Sequence, residues 1–240
     1  MGNNDAVSKH GNWIGRNERA SDYLTPALMA KFKSVLPCDG TDAADEVPPG
    51  IQWCLAPIAE PAERLGEDGH PALGTHLPPL PYERRMWAGG ALSFDKKPFA
   101  PGQEIERSST IRGIEEKTGR SGSLAFVTLE HAYSANGEII LREEQTLVYR
   151  NPHISSMQVP KPASKLAETG TQIFRLTTDP VLLFRYSALT FNGHRIHYDD
   201  HYARDIEGYP GLVVHGPLLA TILANLALKE LEILARFKFR

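Results

Sequence analysis

The sequence predicts an α+β protein, and three observations carry that prediction. Between residues 86 and 151 apolar residues recur with a period of two and are broken by turn sequences. Thr25-Pro26 and Asp179-Pro180 each set a capping side chain before a proline at the first helical position. Residues 217–231 form a strongly apolar stretch of helical length. At 240 residues with 41% hydrophobic content, the chain has length for one large domain or two smaller ones.

In chain order, the apolar residues Leu28, Met29, Phe32, Val35 and Leu36 follow Pro26 at helical spacing, predicting a helix over 26–36 that Pro37 stops. Residues 37–81 are dense in Pro, Gly and Asp and predict a long irregular excursion. An antiparallel meander follows: a strand through Ile105, Ser109 and Ile111, a turn at 118–122, a strand over 124–129, a turn at Asn136-Gly137, and a strand over 139–149. Residues 151–168 read as a linker between a first domain, 1–150, and a second, 169–240. The second opens with a strand at 171–176 and a helix over 181–189, then a histidine-rich loop, a short helix around 199–205, a turn at 208–211 and the helix at 217–231. It ends on the alternating Arg236-Phe237-Lys238-Phe239-Arg240, the opening of a strand, which leaves the second sheet unfinished.

A formal net charge of −3 and a pI near 6.3 argue against nucleic acid or an anionic membrane as partner, since both demand a concentrated basic surface. The two cysteines, Cys38 and Cys54, match neither a disulfide framework nor a four-cysteine zinc site, and a reducing cytoplasm is the expectation. No run of eighteen apolar residues exists, and the polar start Met1-Gly2-Asn3-Asn4-Asp5 has no signal-peptide core. Met1-Gly2 suggests myristoylation, but Ala6 stands where that motif wants Ser or Thr.

Four of the nine histidines, His194, His197, His201 and His215, crowd into one stretch beside Asn192, Asp199 and Asp200. Imidazole titrates near neutrality, so the cluster is a candidate for proton transfer or for metal binding, against the plainer alternative of a solvated polar loop. His194, His197 and His201 with Asp199 or Asp200 offer enough ligands for zinc or iron, although the helical His-Glu-Xaa-Xaa-His arrangement is missing.

These residues resemble the MaoC-like hydratases and dehydratases. Their signature is Asp, Asn two positions on and His three further, after an aromatic residue, with a downstream His-Gly step opening a long helix. Asn192, His194 and His197 occupy those three places here, after Phe184 and Tyr186, and His215-Gly216 supplies the step. The spacing matches, while the first two identities differ. The segments around Phe191 to Asp199 and Gly211 to Pro217 are similar to the hydroxyacyl-thioester dehydratase type 2 branch, which includes mesaconyl-CoA and itaconyl-CoA hydratases. Trp13-Ile14-Gly15-Arg16, Arg84-Arg85-Met86-Trp87-Ala88-Gly89-Gly90 and the strand over 122–133 look like the same branch.

The resemblance implies a double hot-dog fold, two curved antiparallel sheets each wrapped on a helix, with a degenerate first module and a second one truncated after Arg240 or completed by a homodimer mate or partner chain. It also implies addition or removal of water across C2–C3 of a 2-enoyl or 3-hydroxyacyl thioester, with a five-carbon dicarboxylic acyl group as one candidate. Such chemistry needs no cofactor and no metal, the substrate itself carrying coenzyme A or an acyl-carrier phosphopantetheine. His197 is the expected base, returning its proton to C2, and Asn192 a hydrogen-bond acceptor for the attacking water. Gly216 and Leu218 are the expected backbone donors to the thioester oxygen at the helix start, where Pro217 has no N–H to give. Arg85, Trp87, Tyr186, Phe191, His194 and His215 are the expected substrate-binding residues, Arg85 because a guanidinium suits a free carboxylate. A hot-dog thioesterase and a non-catalytic acyl-thioester-binding or partner subunit are the rival readings.

Overall fold

The computed structural model describes residues 10–36, 46–95, 97–119, 122–151, 176–230 and 234–240. The meander forms as its alternation dictates. Strands β1 (Asn17–Tyr23), β2 (Arg84–Phe94), β3 (Glu104–Gly119), β4 (Gly122–Ala135), β5 (Glu138–Arg150) and β6 (Arg236–Phe239) make one sheet in the order β1-β3-β4-β5-β2-β6. Every neighbouring pair is antiparallel. Asn136 and Gly137 join β4 to β5 with φ of 52° and 79°, the positive pair a two-residue hairpin needs to match strand twist.

Among the described residues, three α-helices pack with this sheet. In α1 (Pro26–Lys33) the Thr25 hydroxyl accepts the Leu28 N–H at 3.1 Å, and in α2 (Pro180–Thr190) the Asp179 carboxylate accepts the Leu182 N–H at 2.8 Å. The third, α3 (Gly216–Glu230), buries Leu218, Ala220, Thr221, Ile222 and Ala224 and exposes Leu219 and Leu223. One core unites Met29 and Phe32 of α1, Leu183 and Tyr186 of α2, and Leu218 and Ile222 of α3 with Leu92, Ile105 and Leu141 of the sheet. The two halves read from the sequence therefore share their apolar interior. Among the described residues no helix is long and apolar enough to cross a membrane.

Some expectations are adjusted. The first helix ends at Lys33, where Ser34 returns its N–H to Ala30, rather than at residue 36. The turn expected as a short helix near residues 199–205 is a π-type turn, Tyr202–Ile206. Strand β1 was not legible, because its residues are mostly exposed and show no apolar alternation. The C-terminal strand forms, but β6 pairs with the edge of β2 instead of beginning a separate sheet. Phe239 packs edge-on against Trp53 and Trp87, at ring separations of 6.2 and 5.2 Å, which gives the strand an apolar reason to dock there. The expected linker at 151–168 falls almost wholly, and the strand at 171–176 nearly so, outside the described residues.

The irregular segment before β2 carries two short 3-10 turns, Ile51–Cys54 and Ala62–Arg64, and then docks on the histidine loop backbone to backbone. A Cβ on Gly193 would lie 2.5 Å from the Gly69 carbonyl oxygen, and one on Gly69 would lie 2.0 Å from that of Gly193. The Arg195 N–H donates to the Asp68 carbonyl at 2.9 Å and the Arg195 guanidinium to that of Glu67 at 3.2 Å. Gly193→Ala is expected to lower unfolding free energy by about 1–3 kcal/mol, as overpacking does. Gly113→Ala, whose new methyl meets nothing within 4 Å, should change it by less than about 1 kcal/mol, both read from urea denaturation.

Candidate functional site

The histidine loop is built from the end of α2. Phe191 takes a left-handed conformation at φ 53° and stops the helix, and the Asn192 N–H turns back to the Ser187 carbonyl at 2.9 Å. The Asn192 side-chain carbonyl accepts the His194 N–H at 3.0 Å, closing a local turn. A 3-10 turn, Arg195–His197, follows. Arg195 donates through Nε and Nη2 to one oxygen of Asp199 at 3.1 and 2.7 Å, while the other oxygen accepts the Tyr202 N–H at 3.0 Å. Arg195 and Asp199 thus hold the loop and leave His197 turned inward.

His197 donates from Nδ1 to the Val213 carbonyl at 2.7 Å. A carbonyl only accepts, so the ring proton sits on Nδ1 and Nε2 carries the lone pair. His215, at the threshold of α3, stacks on His197 with centroids 3.6 Å apart and planes inclined by 19°. Its Nε2 lies 2.8 Å from the Ser187 hydroxyl, which ties the two helices together. His194 meets His197 edge-on at 5.4 Å. All three rings are buried. Burial pulls His197 down to about 4, offset in part by its bond to Val213, and pulls His194 and His215 down to about 2, neighbouring imidazoles adding to the effect. At neutral pH the trio is uncharged.

Beside this trio lies a cavity of about 550 Å³, walled on one side by the inner face of β3–β5 and on the other by the end of α2. Asn192, Phe191 and Arg85 line it, as does Ser187. The other expected site residues, His194, His197, His215, Tyr186, Trp87, Gly216 and Leu218, are not among those that line it. Tyr186 is fully buried against the His215 ring at 5.0 Å, and Trp87 packs edge-on to Trp53 at 5.3 Å. Gly216 opens α3 and Leu218 is buried in its first turn, where backbone N–H groups precede any helical partner.

Sequence reasoning missed two parts of the cavity. His70, from the docked loop, lines it with Asn192, its ring 4.3 Å from that of His194, and Asp68 stands 3.0 Å from His70 Nδ1. Their signal was local, an Asp-Gly-His step inside a Pro-rich loop, but nothing in the spacing linked it to residues more than a hundred positions away. The second part is a polar band on the sheet's inner face. There Glu143 accepts from Trp53 Nε1 at 2.9 Å and from the Tyr133 hydroxyl at 3.3 Å, and His131 bridges Ser109 and Gln145 at 2.8 and 3.1 Å.

The ligand set considered for zinc or iron does not assemble. His201 is exposed and pairs with Asp205 at 2.5 Å, Asp199 is taken by Arg195, and Asp200 by Arg204 at 2.8 Å. Asp68, His70 and His194 do offer ligand atoms within 4.8 Å of one another, but the positive charge of Arg85, which helps to lower both imidazoles, opposes a cation there.

The depressed imidazoles make a pH prediction with a definite sign. Each folded value lies below the ordinary 6.5, so between them the unfolded chain binds more protons and stability falls as pH falls. His70 and His131 shift the same way, whereas His76, raised by Glu60 and Glu18 against its burial, shifts the other. The urea midpoint should therefore drop steadily from pH 7 to pH 4.5; a midpoint that holds level or rises there contradicts the assignment.

With this geometry in hand, comparison with known proteins is informative. The family model of hydroxyacyl-thioester dehydratase type 2 matches residues 50–240. The chain is 45% identical over 219 residues to mesaconyl-C(4)-CoA hydratase of Chloroflexus aurantiacus, covering 90% of this chain and 77% of that protein. It is 29% identical over 230 residues to the mitochondrial hydroxyacyl-thioester dehydratase type 2 of Schizosaccharomyces pombe, covering 83% of this chain and 75% of the relative. Among solved structures, a MaoC-like dehydratase from Phytophthora capsici superposes with a TM-score of 0.63 at 9% identity over 95% of this chain and 81% of that one, a likeness of fold. The match over residues 50–240 takes in strands β2 to β6, the docked loop and the histidine loop together, and the chain belongs to the hydroxyacyl-thioester dehydratase type 2 family.

Proposed function

We propose that this protein is an acyl-CoA hydratase or dehydratase that adds water across, or removes it to form, the C2–C3 double bond of a 2-enoyl thioester, and that its acyl group is a short dicarboxylic one. The observation that carries the reading is the 45% identity, over 90% of the chain, to a mesaconyl-C(4)-CoA hydratase. The geometry supports it. His197 is neutral and locked in one tautomer, with its basic Nε2 free of the Val213 bond. In hydration, water oxygen bonds to C3 as His197 Nε2 takes one of its protons, and the C2–C3 π electrons move toward the thioester carbonyl. The enolate oxygen would be met by backbone N–H groups of Gly216 and Leu218, at the positive end of α3. His197 then returns its proton to C2. Dehydration is the same path reversed, and neither direction calls for a cofactor or a metal.

Arg85 supports the finer assignment of substrate. Arg85 lines the cavity that Asn192 also lines, and a free carboxylate on the acyl group can take a pair of guanidinium N–H donors.

The class of reaction is tested by following loss of enoyl absorbance with crotonyl-CoA and mesaconyl-CoA beside release of free thiol. Absorbance loss without thiol is expected; thiol release in step with it would make the protein a thioesterase. His197→Gln should lower kcat by about 100-fold or more, as loss of a general acid–base does. Arg85→Met should lower kcat/KM for mesaconyl-CoA by about 10- to 100-fold, the value of a charge-assisted bond, and that for crotonyl-CoA far less. Equal losses on both substrates would remove the carboxylate role.

A further inference from the structure

Asp68 and His70 take no part in the steps above, yet they are built as a functional pair. One oxygen of Asp68 accepts the His70 backbone N–H at 3.0 Å, and the other accepts from His70 Nδ1 at 3.0 Å. A carboxylate only accepts, so the ring proton is held on Nδ1 and Nε2 is left as an acceptor. Burial and the charge of Arg85 outweigh Asp68 and keep this imidazole in its neutral form. The ring forms part of the cavity wall together with Asn192 and Gly193, and the Gly69–Gly193 contact fixes its distance from the motif loop.

We infer that His70 is a second catalytic imidazole, with Asp68 as its positioning residue: His70 Nε2 accepts a hydrogen bond from the water that adds to C3, while His197 takes that water's other proton. The inference rests on the hydratase reading. A water molecule attacks through one lone pair, and binding both of its hydrogens is what aims that lone pair at carbon. Asn192 is another acceptor on the same wall, and one of the two lone pairs of its side-chain carbonyl is already taken by the His194 N–H. The step balances: the O–C3 bond forms, one O–H bond breaks toward His197, and the hydrogen resting on His70 stays with oxygen as the product hydroxyl. His70 gains no proton overall. A side chain that merely accepts should therefore replace it in part.

Crotonyl-CoA and mesaconyl-CoA hydration by the wild type, His70→Leu, His70→Gln and Asp68→Ala tests this, with melting curves to establish that each variant is folded. His70→Leu should lower kcat by about 100-fold with KM little changed, the scale of a misplaced reactant, and His70→Gln should recover about 10-fold of that. Asp68→Ala should fall between, because the ring becomes free to carry its proton on Nε2. Ring nitrogen NMR of the resting protein supplies a readout without turnover: Nε2 should be unprotonated in the wild type and partly protonated in Asp68→Ala. The inference is overturned by a folded His70→Leu within about threefold of wild type, by a Gln variant as slow as Leu, or by a wild-type Nε2 that carries the proton. A wild type that hydrates neither thioester would sink the hydratase reading and this one with it, whereas an active wild type beside an unaffected His70→Leu sinks this one alone.

Discussion

The site depends on one close contact between two backbones, Gly69 on Gly193. With no Cβ on either residue, the loop that precedes β2 and the loop that follows α2 approach to a distance any side chain would forbid. The bonds from Arg195 to the carbonyls of Asp68 and Glu67 then set the register of that approach. Residues over a hundred positions apart become one wall, and the cavity exists because the two loops meet there. Side-chain chemistry is arranged on top of this contact, since the contact determines which imidazoles can see each other.

A second constraint is the control of tautomers. An isolated histidine exchanges its proton between two nitrogens, but three rings here have an acceptor or a hydroxyl assigned to one side. Val213 holds the proton of His197 on Nδ1, Asp68 does the same for His70, and Ser187 engages Nε2 of His215. Stacking of His215 on His197 adds burial, and burial keeps the uncharged form. A base of depressed pKa is a weak one in water. On the proposed path the imidazolium that His197 forms would be opposed by the enolate developing at the helix start, so a low resting affinity for protons would keep the base free without making the transfer prohibitive.

What was legible in the sequence was local. Strand alternation gave β5 to within a residue at each end and the first half of β4, and a capping side chain before proline gave the starts of α1 and α2, because those signals depend on neighbours within a few positions. Asn192, His194, His197 and His215 were marked by spacing along one loop for the same reason. Their surroundings were not marked. The acceptor on His197 is a backbone carbonyl of Val213, and any residue offers one. Asp68 and His70 lie in a stretch whose composition says only loop, and β1 owes its place to pairing with β3 rather than to apolar residues of its own. Trp87 and Tyr186 show the converse: aromatic residues near a motif suggested a lining role, whereas Tyr186 is fully buried, Trp87 packs on Trp53, and neither is among the lining residues.

The placement of those two aromatics bears on how the site resists its own polarity. The inner face of the sheet carries Arg107, Ser109, His131, Glu143 and Gln145 between apolar ends, an arrangement that is costly to bury unless every group is satisfied. Trp53 reconciles the two demands. Its indole N–H goes to Glu143, and its ring faces Trp87 and Phe239, so one side chain closes the polar band and starts the apolar core. Since β6 brings Phe239 to that cluster, it supports the same wall that the loop before β2 closes. The cavity wall is thus held both by the loop before β2, through Trp53, and by β6, through Phe239.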